Sequence, residues 1–257
     1  MITVSILGAG NVATHLFEVF LHSETIKIVQ WYNRSLRALA MYQDQVETTN
    51  NLNDLKPADV YIIAVSDDAI SGLSEQLPFK NRLIAHTSGS VSVYDLDKKN
   101  RRAVFYPLQT FSKGVAIDMS AVPICIETTE KQDVPLLKAL GKQIGCHTHK
   151  VNSEQRRALH LAAVFVNNFT NQLYRVAHEI TEQEGVEFDI LKPLILETAN
   201  KVQTISPYLA QTGPAKRNDK KTIKKHLKLL TNEHHQAIYK LLTSSIKKTH
   251  GSIPRNN

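Results

Sequence analysis

The sequence predicts an α/β fold, a doubly wound and mainly parallel sheet, followed by an all-α C-terminal domain. Three observations carry that expectation. Short uninterrupted apolar runs recur through the first part of the chain, its opening strand passes into a helix through a glycine turn, and beyond Val151 the apolar periodicity becomes helical and stays so. Continuous apolar strands mark parallel sheets covered on both faces, and a lasting change of period marks a change of architecture. The boundary is expected near Asn152, dividing the 257 residues into units 1–151 and 152–257, since a chain of this length exceeds one small core.

The first strand, Ile2 to Leu7, ends in Gly8-Ala9-Gly10-Asn11-Val12-Ala13. In the dinucleotide-binding fingerprint the first glycine makes the turn, the second admits a pyrophosphate to the backbone, and a small third residue packs helix on strand. Gly8, Gly10 and Ala13 fill those places, and the free N–H groups of a helix starting near Asn11 and Val12 are directed at phosphate. Leu16, Phe17, Val19 and Phe20 supply that helix with its apolar face. Ile26 to Tyr32 reads as the second strand, Leu36 to Gln45 as a helix, Val46 to Thr49 as a short third strand and Asp54 to Lys56 as a brief helix. Val60 to Val65 is the clearest buried strand, after which Ser66, Asp67 and Asp68 offer N-caps to a helix through Ile70 and Leu73. Leu83 to His86 is the fifth strand. Strands at Ala103 to Tyr106, Val122 to Glu127 and Cys146 to Val151, with a helix from Asp133 to Ile144, extend the sheet. Asn152 and Gln155 are spaced as a capping box for one long helix reaching Glu184 and closed by Gly185. Helices from Phe188 to Ile205, Lys220 to Leu230 and Asn232 to Lys248 complete the second domain, with Thr212-Gly213-Pro214 as a break between them.

Composition narrows the function classes. A hydrophobic share of 42% with 21% charged residues describes a soluble globular chain, and no apolar stretch approaches the ~20 residues of a membrane span. No signal peptide is expected before the first strand, and two cysteines, Cys125 and Cys146, suit buried free thiols better than a disulfide framework, so the expected compartment is cytoplasmic. From Gly213 onward 11 Lys and Arg stand against 2 acids, so the net charge of +7 arises there. Lys220, Lys224 and Lys228 share a helical face without interleaved aromatics, which points to a solvated face rather than a nucleic-acid or membrane partner.

The cofactor is legible at the end of the second strand, where this architecture meets the adenosine ribose. An NAD site places an acid there. Asn33, Arg34 and Ser35 stand there instead, with no Asp or Glu from Lys27 to Gln43, and a guanidinium beside a hydroxyl selects a 2′-phosphate. The expected cofactor is NADP, with Val65, Ser66 and Ser88 at neighbouring strand ends completing its site. For the chemistry, His160, Asn167, Asn171, Tyr174 and His178 recur on one face of the long helix, either lining a ligand cleft between the domains or forming a structural seam. A second cluster, His86-Thr87-Ser88-Gly89-Ser90 and Tyr106-Pro107-Leu108-Gln109-Thr110, lies at strand ends, where open α/β sheets bind ligands. There His86 is either a proton donor or a strand-end imidazole satisfied by backbone. His147 with His149 and His234 with His235 lack accompanying carboxylates or thiols, so no metal site is expected.

Taken in order, the glycine turn, Asn33-Arg34-Ser35, His86-Thr87-Ser88-Gly89, Tyr106 to Phe111, His160-Leu161-Ala162-Ala163 and Thr212-Gly213-Pro214-Ala215 resemble a bacterial family of NADP oxidoreductases over nearly the whole chain. That family joins a Rossmann-like domain to an α-helical domain of unknown function and is similar to pyrroline-5-carboxylate reductase and, more distantly, to β-hydroxyacid dehydrogenases. The resemblance implies NADP on the Gly8 to Ala13 turn and Arg34, and a helical domain that dimerises. The dehydrogenases use a Lys and an Asn on the interdomain helix. Here that helix holds no Lys, and His160 and Asn167 are the nearest chemical substitutes. The expected activity is hydride transfer from NADPH to a C=N or C=O bond of a small anionic substrate, with His160, Asn167, Asn171 and His86 as catalytic candidates. A non-catalytic NADP-binding sensor or scaffold is the other reading. Leu161, Phe165 and Phe169, on more than one side of the long helix, point to a homodimer through the C-terminal helices.

Overall fold

A computed structural model describes residues 1–250. Residues 251–257, the end of the expected helical domain, lie outside the described residues. The chain forms two compact units, Met1–Asn168 and Phe169–Asn257.

The first unit is built on one eight-stranded sheet of order β3-β2-β1-β4-β5-β6-β7-β8. Its strands are β1 (Ile2–Leu7), β2 (Ile26–Tyr32), β3 (Thr48–Thr49), β4 (Val60–Ile63), β5 (Leu83–His86), β6 (Arg101–Pro107), β7 (Ile124–Thr128) and β8 (Thr148–Lys150). The helices packed with them are α1 (Asn11–Leu21), α2 (Asp67–Gln76) and α3 (Val134–Gln143). Alternation explains why the strands read as unbroken apolar runs. Val4, Ile6, Val60, Ile62, Leu83 and Ala85 join the core under α1 and α3, whereas Leu7, Tyr61, Ile63 and Ile84 join the core on the α2 face.

All pairings are parallel except β6 with β7. The connection from β6 to β7 holds a 3₁₀ turn, Met119–Ala121, and no α-helix, and β7 returns antiparallel beside β6. The expected helix at 36–45 is instead a 3₁₀ segment, Leu36–Tyr42, with only Leu39 buried and no side-chain cap. A segment with one buried side chain lacks the apolar stripe that would hold a longer helix down. The brief helix expected at Asp54 to Lys56 is a 3₁₀ turn at Leu52–Asp54, capped by the Asn51 side chain.

The capping box at Asn152 is present: its side chain accepts from Gln155 N–H, and the Gln155 side chain accepts from Asn152 N–H. It opens α4 (Ser153–Ala163), which passes through a π turn at Val164–Phe169 into α5 (Thr170–Gln183). The helix is therefore long, as expected, but not uniform. A π turn adds a residue, which rotates the downstream residues by roughly 100° relative to a regular α-helix, so residues on its two sides lose the shared face that simple periodicity assigns. The second unit continues with α6 (Lys192–Thr204), α7 (Pro207–Ala210), α8 (Lys220–Leu229) and α9 (Glu233–His250). Pro207, expected only as a break, starts α7 behind the Ser206 cap, a first-turn position where its missing N–H costs nothing. No helix among the described residues is long and apolar enough to cross a membrane.

Candidate functional site

A cavity of about 810 Å³ opens along the carboxyl ends of β1, β2, β4, β5 and β6, within the size range of ligand pockets. It straddles the step from β1 to β4, where the strand order reverses, the place at which doubly wound sheets take their ligands. At its centre is the Gly8–Val12 turn. Gly8 has φ +116°, and a Cβ there would run into the Ala64 carbonyl and sit 2.8 Å from Val65 Cγ1, so only glycine fits. Gly10 is the extended N-cap of α1, with no side chain capping the helix, no acid in its first turn and open space around it. The first N–H groups of α1 are thus available to an anion. Ala13 is fully buried beneath the helix, the close-packing role its place in the motif predicts. Trp31 Nε1–H donates to the Gly8 carbonyl at 2.5 Å and fixes the turn from below.

At the β2 end, Asn33 and Arg34 line the cavity. The Asn33 side chain donates to the Ser35 carbonyl at 2.9 Å and shapes the loop, while Arg34 is exposed and enters no ion pair among the described residues. Ser35 is exposed outside the lining, at the extended start of the 3₁₀ segment. Val65 and Ser66 line the middle, Ser66 as the N-cap residue of α2 without a side-chain capping bond. These features fit a phosphorylated dinucleotide: a glycine turn that brings bare backbone to the cavity, uncapped N–H groups, and an unpaired guanidinium at one end.

The other end, at β5 and β6, carries Thr87, Ser88, Gly89, Tyr106, Gln109, Phe111 and His160. Ser88 Oγ accepts the N–H groups of Ser90 and Val91, each at 3.1 Å, so it organises the loop after β5. Asp67, expected only to cap α2, accepts the Ser90 hydroxyl and lines the cavity. The Asn11 amide donates to the Phe111 carbonyl at 2.8 Å, holding the loop after β6 beside the glycine turn. Tyr106 Oη lies 3.1 Å from His160 Nδ1, and a Cβ on Gly89 would sit 2.6 Å from that nitrogen and 2.8 Å from Tyr106 Cζ. Burial pushes the Tyr106 hydroxyl up to about 12, so it stays protonated at any physiological pH.

Of the expected catalytic residues, the cavity receives His160 alone. His86 is wholly buried and does not line it. Its Nδ1 accepts the Ser88 N–H at 3.1 Å, its Nε2 is sealed without a hydrogen-bond partner among the described residues, and burial first, then the Arg156 charge, lowers its pKa to about 3. An imidazole held neutral and out of reach of ligand shapes the loop and donates no proton. Asn167 sits in the π turn, exposed and outside the lining, and Asn171 is exposed in the second unit. Tyr106 and Gly89 belong to the strand-end cluster, but the sequence pattern gives neither a role. Their pairing with His160 joins residues 54 positions apart, which no local pattern announces. Beneath this end, fully buried Arg156 on α4 bonds Glu127 of β7 and the Val91 carbonyl, clamping α4 to the β5 loop. Among the described residues no group of three His, Cys, Asp or Glu side chains is placed to hold a metal.

Comparison with known proteins agrees with this geometry. Residues 122–246 match the model described as Domain of unknown function (DUF2520). A structure titled "putative NADP oxidoreductase" from Bacteroides fragilis shares 36% identity, covering 96% of this chain and 98% of its own, with a TM-score of 0.86. The chain belongs to that NADP oxidoreductase family. More distant neighbours share the fold: 1-pyrroline-5-carboxylate reductase of Streptococcus pyogenes (13% identity, 97% of each chain, TM-score 0.66) and the imine reductase of Streptomyces aurantiacus (13%, 96% and 93%, TM-score 0.72). No curated protein sequence matches. The first unit is thus a Rossmann-like NAD(P)-binding fold, followed by a helical region.

Proposed function

We propose that this member of the family is an NADPH-dependent reductase that transfers hydride to a C=N or C=O bond of a small, anionic substrate. One observation carries the reading: a single cavity runs from an unpaired arginine, past the Gly8–Val12 turn, to a tyrosine–histidine pair. Gly8, Gly10, Asn11 and Val12 hold the pyrophosphate on the N-terminus of α1, Arg34 with Asn33 and Ser35 grips the 2′-phosphate, and Val65, Ser66 and Ser88 flank the remainder. Bound NADPH supplies the hydride. His160 serves the proton side of the reaction.

Residues 152–257 act as the substrate and dimerisation domain. Supporting this, only Ala215 and His235 are buried among residues 169–250, while Leu194, Leu196 and Leu209 are each more than 60% exposed, at 62%, 62% and 66%. An apolar surface of that extent calls for a partner, and a second copy gives a closed isologous pair. Buried free thiols at Cys125 and Cys146, the latter's pKa raised to about 11 by burial, suit the reducing cytoplasm.

The test is a fluorescence titration with NADPH and NADH. NADPH should bind more tightly, and Arg34→Ala should weaken it by roughly one to two decades, the worth of one charge-assisted contact, while sparing NADH. Equal curves for both cofactors in the unmutated protein would overturn the assignment.

A further inference from the structure

We propose that Tyr106, and not His160 itself, is the group that protonates the substrate, with His160 as the residue that refills it. This rests on the reductase reading above and names the residue that completes the reaction. If Arg34 marks the adenosine end of the cofactor, the reacting end points toward β5 and β6, where Tyr106, Gly89 and His160 meet. Tyr106 sits near the end of β6, a strand flanked by β5 and β7, and is 9% exposed, so its ring has little freedom. Gly89 packs against both rings with no room for a side chain, although its backbone is not in the left-handed region that would by itself require glycine. The glycine is there to let tyrosine and histidine meet.

The chemistry balances without another reagent. A carbon that receives hydride from NADPH passes the electrons of its double bond to the attached oxygen or nitrogen, which needs one proton. The Tyr106 O–H bond breaks and that proton moves to the heteroatom. As a hydronium proton from solvent enters at His160 Nε2, the Nδ1 proton, 3.1 Å away, passes to the phenolate, and exchange with water then returns the ring to its Nδ1–H tautomer, so one solvent proton is consumed per turnover. For this the Nδ1–H tautomer must donate to the tyrosine oxygen, leaving the hydroxyl hydrogen free to face the cavity. The titratable and charged groups acting on Tyr106 are Cys125 from β7, Arg156 from α4 and Asp67 from α2. None of them makes a hydrogen bond to its hydroxyl. His86, the other imidazole at this end, is sealed off and takes no part.

The experiment uses the full-length protein and two variants, Tyr106→Phe, which keeps the ring against Gly89, and His160→Asn, which keeps a donor near the tyrosine oxygen but cannot relay. NADPH titrations and thermal melts should be unchanged in both, within about twofold in affinity. In histidine-labelled protein, the ¹⁵N shifts of the His160 ring should place the proton on Nδ1, and Tyr106→Phe should move it toward Nε2. With 1-pyrroline-5-carboxylate as the anionic imine probe, Tyr106→Phe should lower kcat on the order of 10²-fold or more at unchanged KM for NADPH. His160→Asn should lower kcat less and acquire a solvent deuterium isotope effect as refilling becomes slow. Ring shifts that Tyr106→Phe leaves unmoved, or a Tyr106→Phe variant that turns over at the unmutated rate, would overturn the proposal. Failure of the unmutated protein to bind NADPH would instead overturn the cofactor reading on which it rests.

Discussion

Acidification should loosen the first unit through one residue, His86, by an amount set by its burial. The imidazole is 0% exposed, its Nδ1 already accepts the Ser88 N–H, and its pKa falls from 6.5 to about 3, first by burial and then by the Arg156 charge. Above pH 6.5 neither folded nor unfolded chain holds this proton. Below it the unfolded chain binds a proton that the folded unit refuses, so stability falls with pH and the loss ends only near pH 3. Between pH 7 and pH 5 the unfolded state gains about 2 kcal/mol from this group. The figure is insensitive to the folded pKa so long as that stays below about 4, because at pH 5 the folded imidazole is then still neutral. Trp31, the single tryptophan and fully buried in the same sheet, reports urea unfolding of this unit by fluorescence. His86→Asn retains an acceptor for Ser88 while removing the titration, and all other groups cancel in the comparison. Between the two pH values the unmutated protein should lose about 2 kcal/mol more than the variant. Parallel losses would mean that the proton reaches His86 in the folded state, and the reasoning from burial would fail.

Other consequences are as direct. Gly8→Ala, forced to adopt φ +116° with its Cβ against the Ala64 carbonyl, should cost on the order of 2 kcal/mol or more in urea unfolding and abolish NADPH binding. Glu127→Ala strands the fully buried Arg156 and should cost about 3 to 5 kcal/mol, whereas Glu127→Leu combined with Arg156→Met should recover most of it. Light scattering at micromolar concentration should return twice the 28.9 kDa chain mass, and a monomer would count against the proposed dimer.

How much of this was legible in the sequence depended on whether a residue's role is local. The parallel strands were legible because both of their faces are buried, which leaves an unbroken apolar signature at Val60–Ile63 and Leu83–His86. The glycine turn was legible because fingerprint spacing is fixed by the bond geometry of one strand-turn-helix unit, and the placement of Arg34 along the cavity because it follows directly on the carboxyl end of β2. Strand direction was not. Ile124–Thr128 has the composition of any buried strand, and the connection before it does not announce direction either, since β5 and β6 are also joined without an α-helix and pair parallel. The π turn was equally silent: Leu159, Ala162, Val166 and Phe169 recur at three and four, and that count does not register one inserted residue.

The tyrosine–histidine pair marks the limit of local reading. A strand-end tyrosine is ordinary, and a helix histidine more often satisfies a neighbour than a substrate. What distinguishes them is Gly89. A glycine with positive φ is explained by its turn, as Gly8 is, but Gly89 lies outside that region and still cannot carry a Cβ. Its smallness answers to something approaching from elsewhere in the chain, and the two side chains that approach can exchange a proton. If Gly89→Ala pushes the rings apart, it should act as Tyr106→Phe does on turnover while lowering stability as well, because two packed rings must move. A Gly89→Ala protein with the unmutated rate would show that contact between the rings is dispensable. The glycine is therefore the more telling residue: it has no chemistry of its own, and its presence is explained only by the two rings that meet above it.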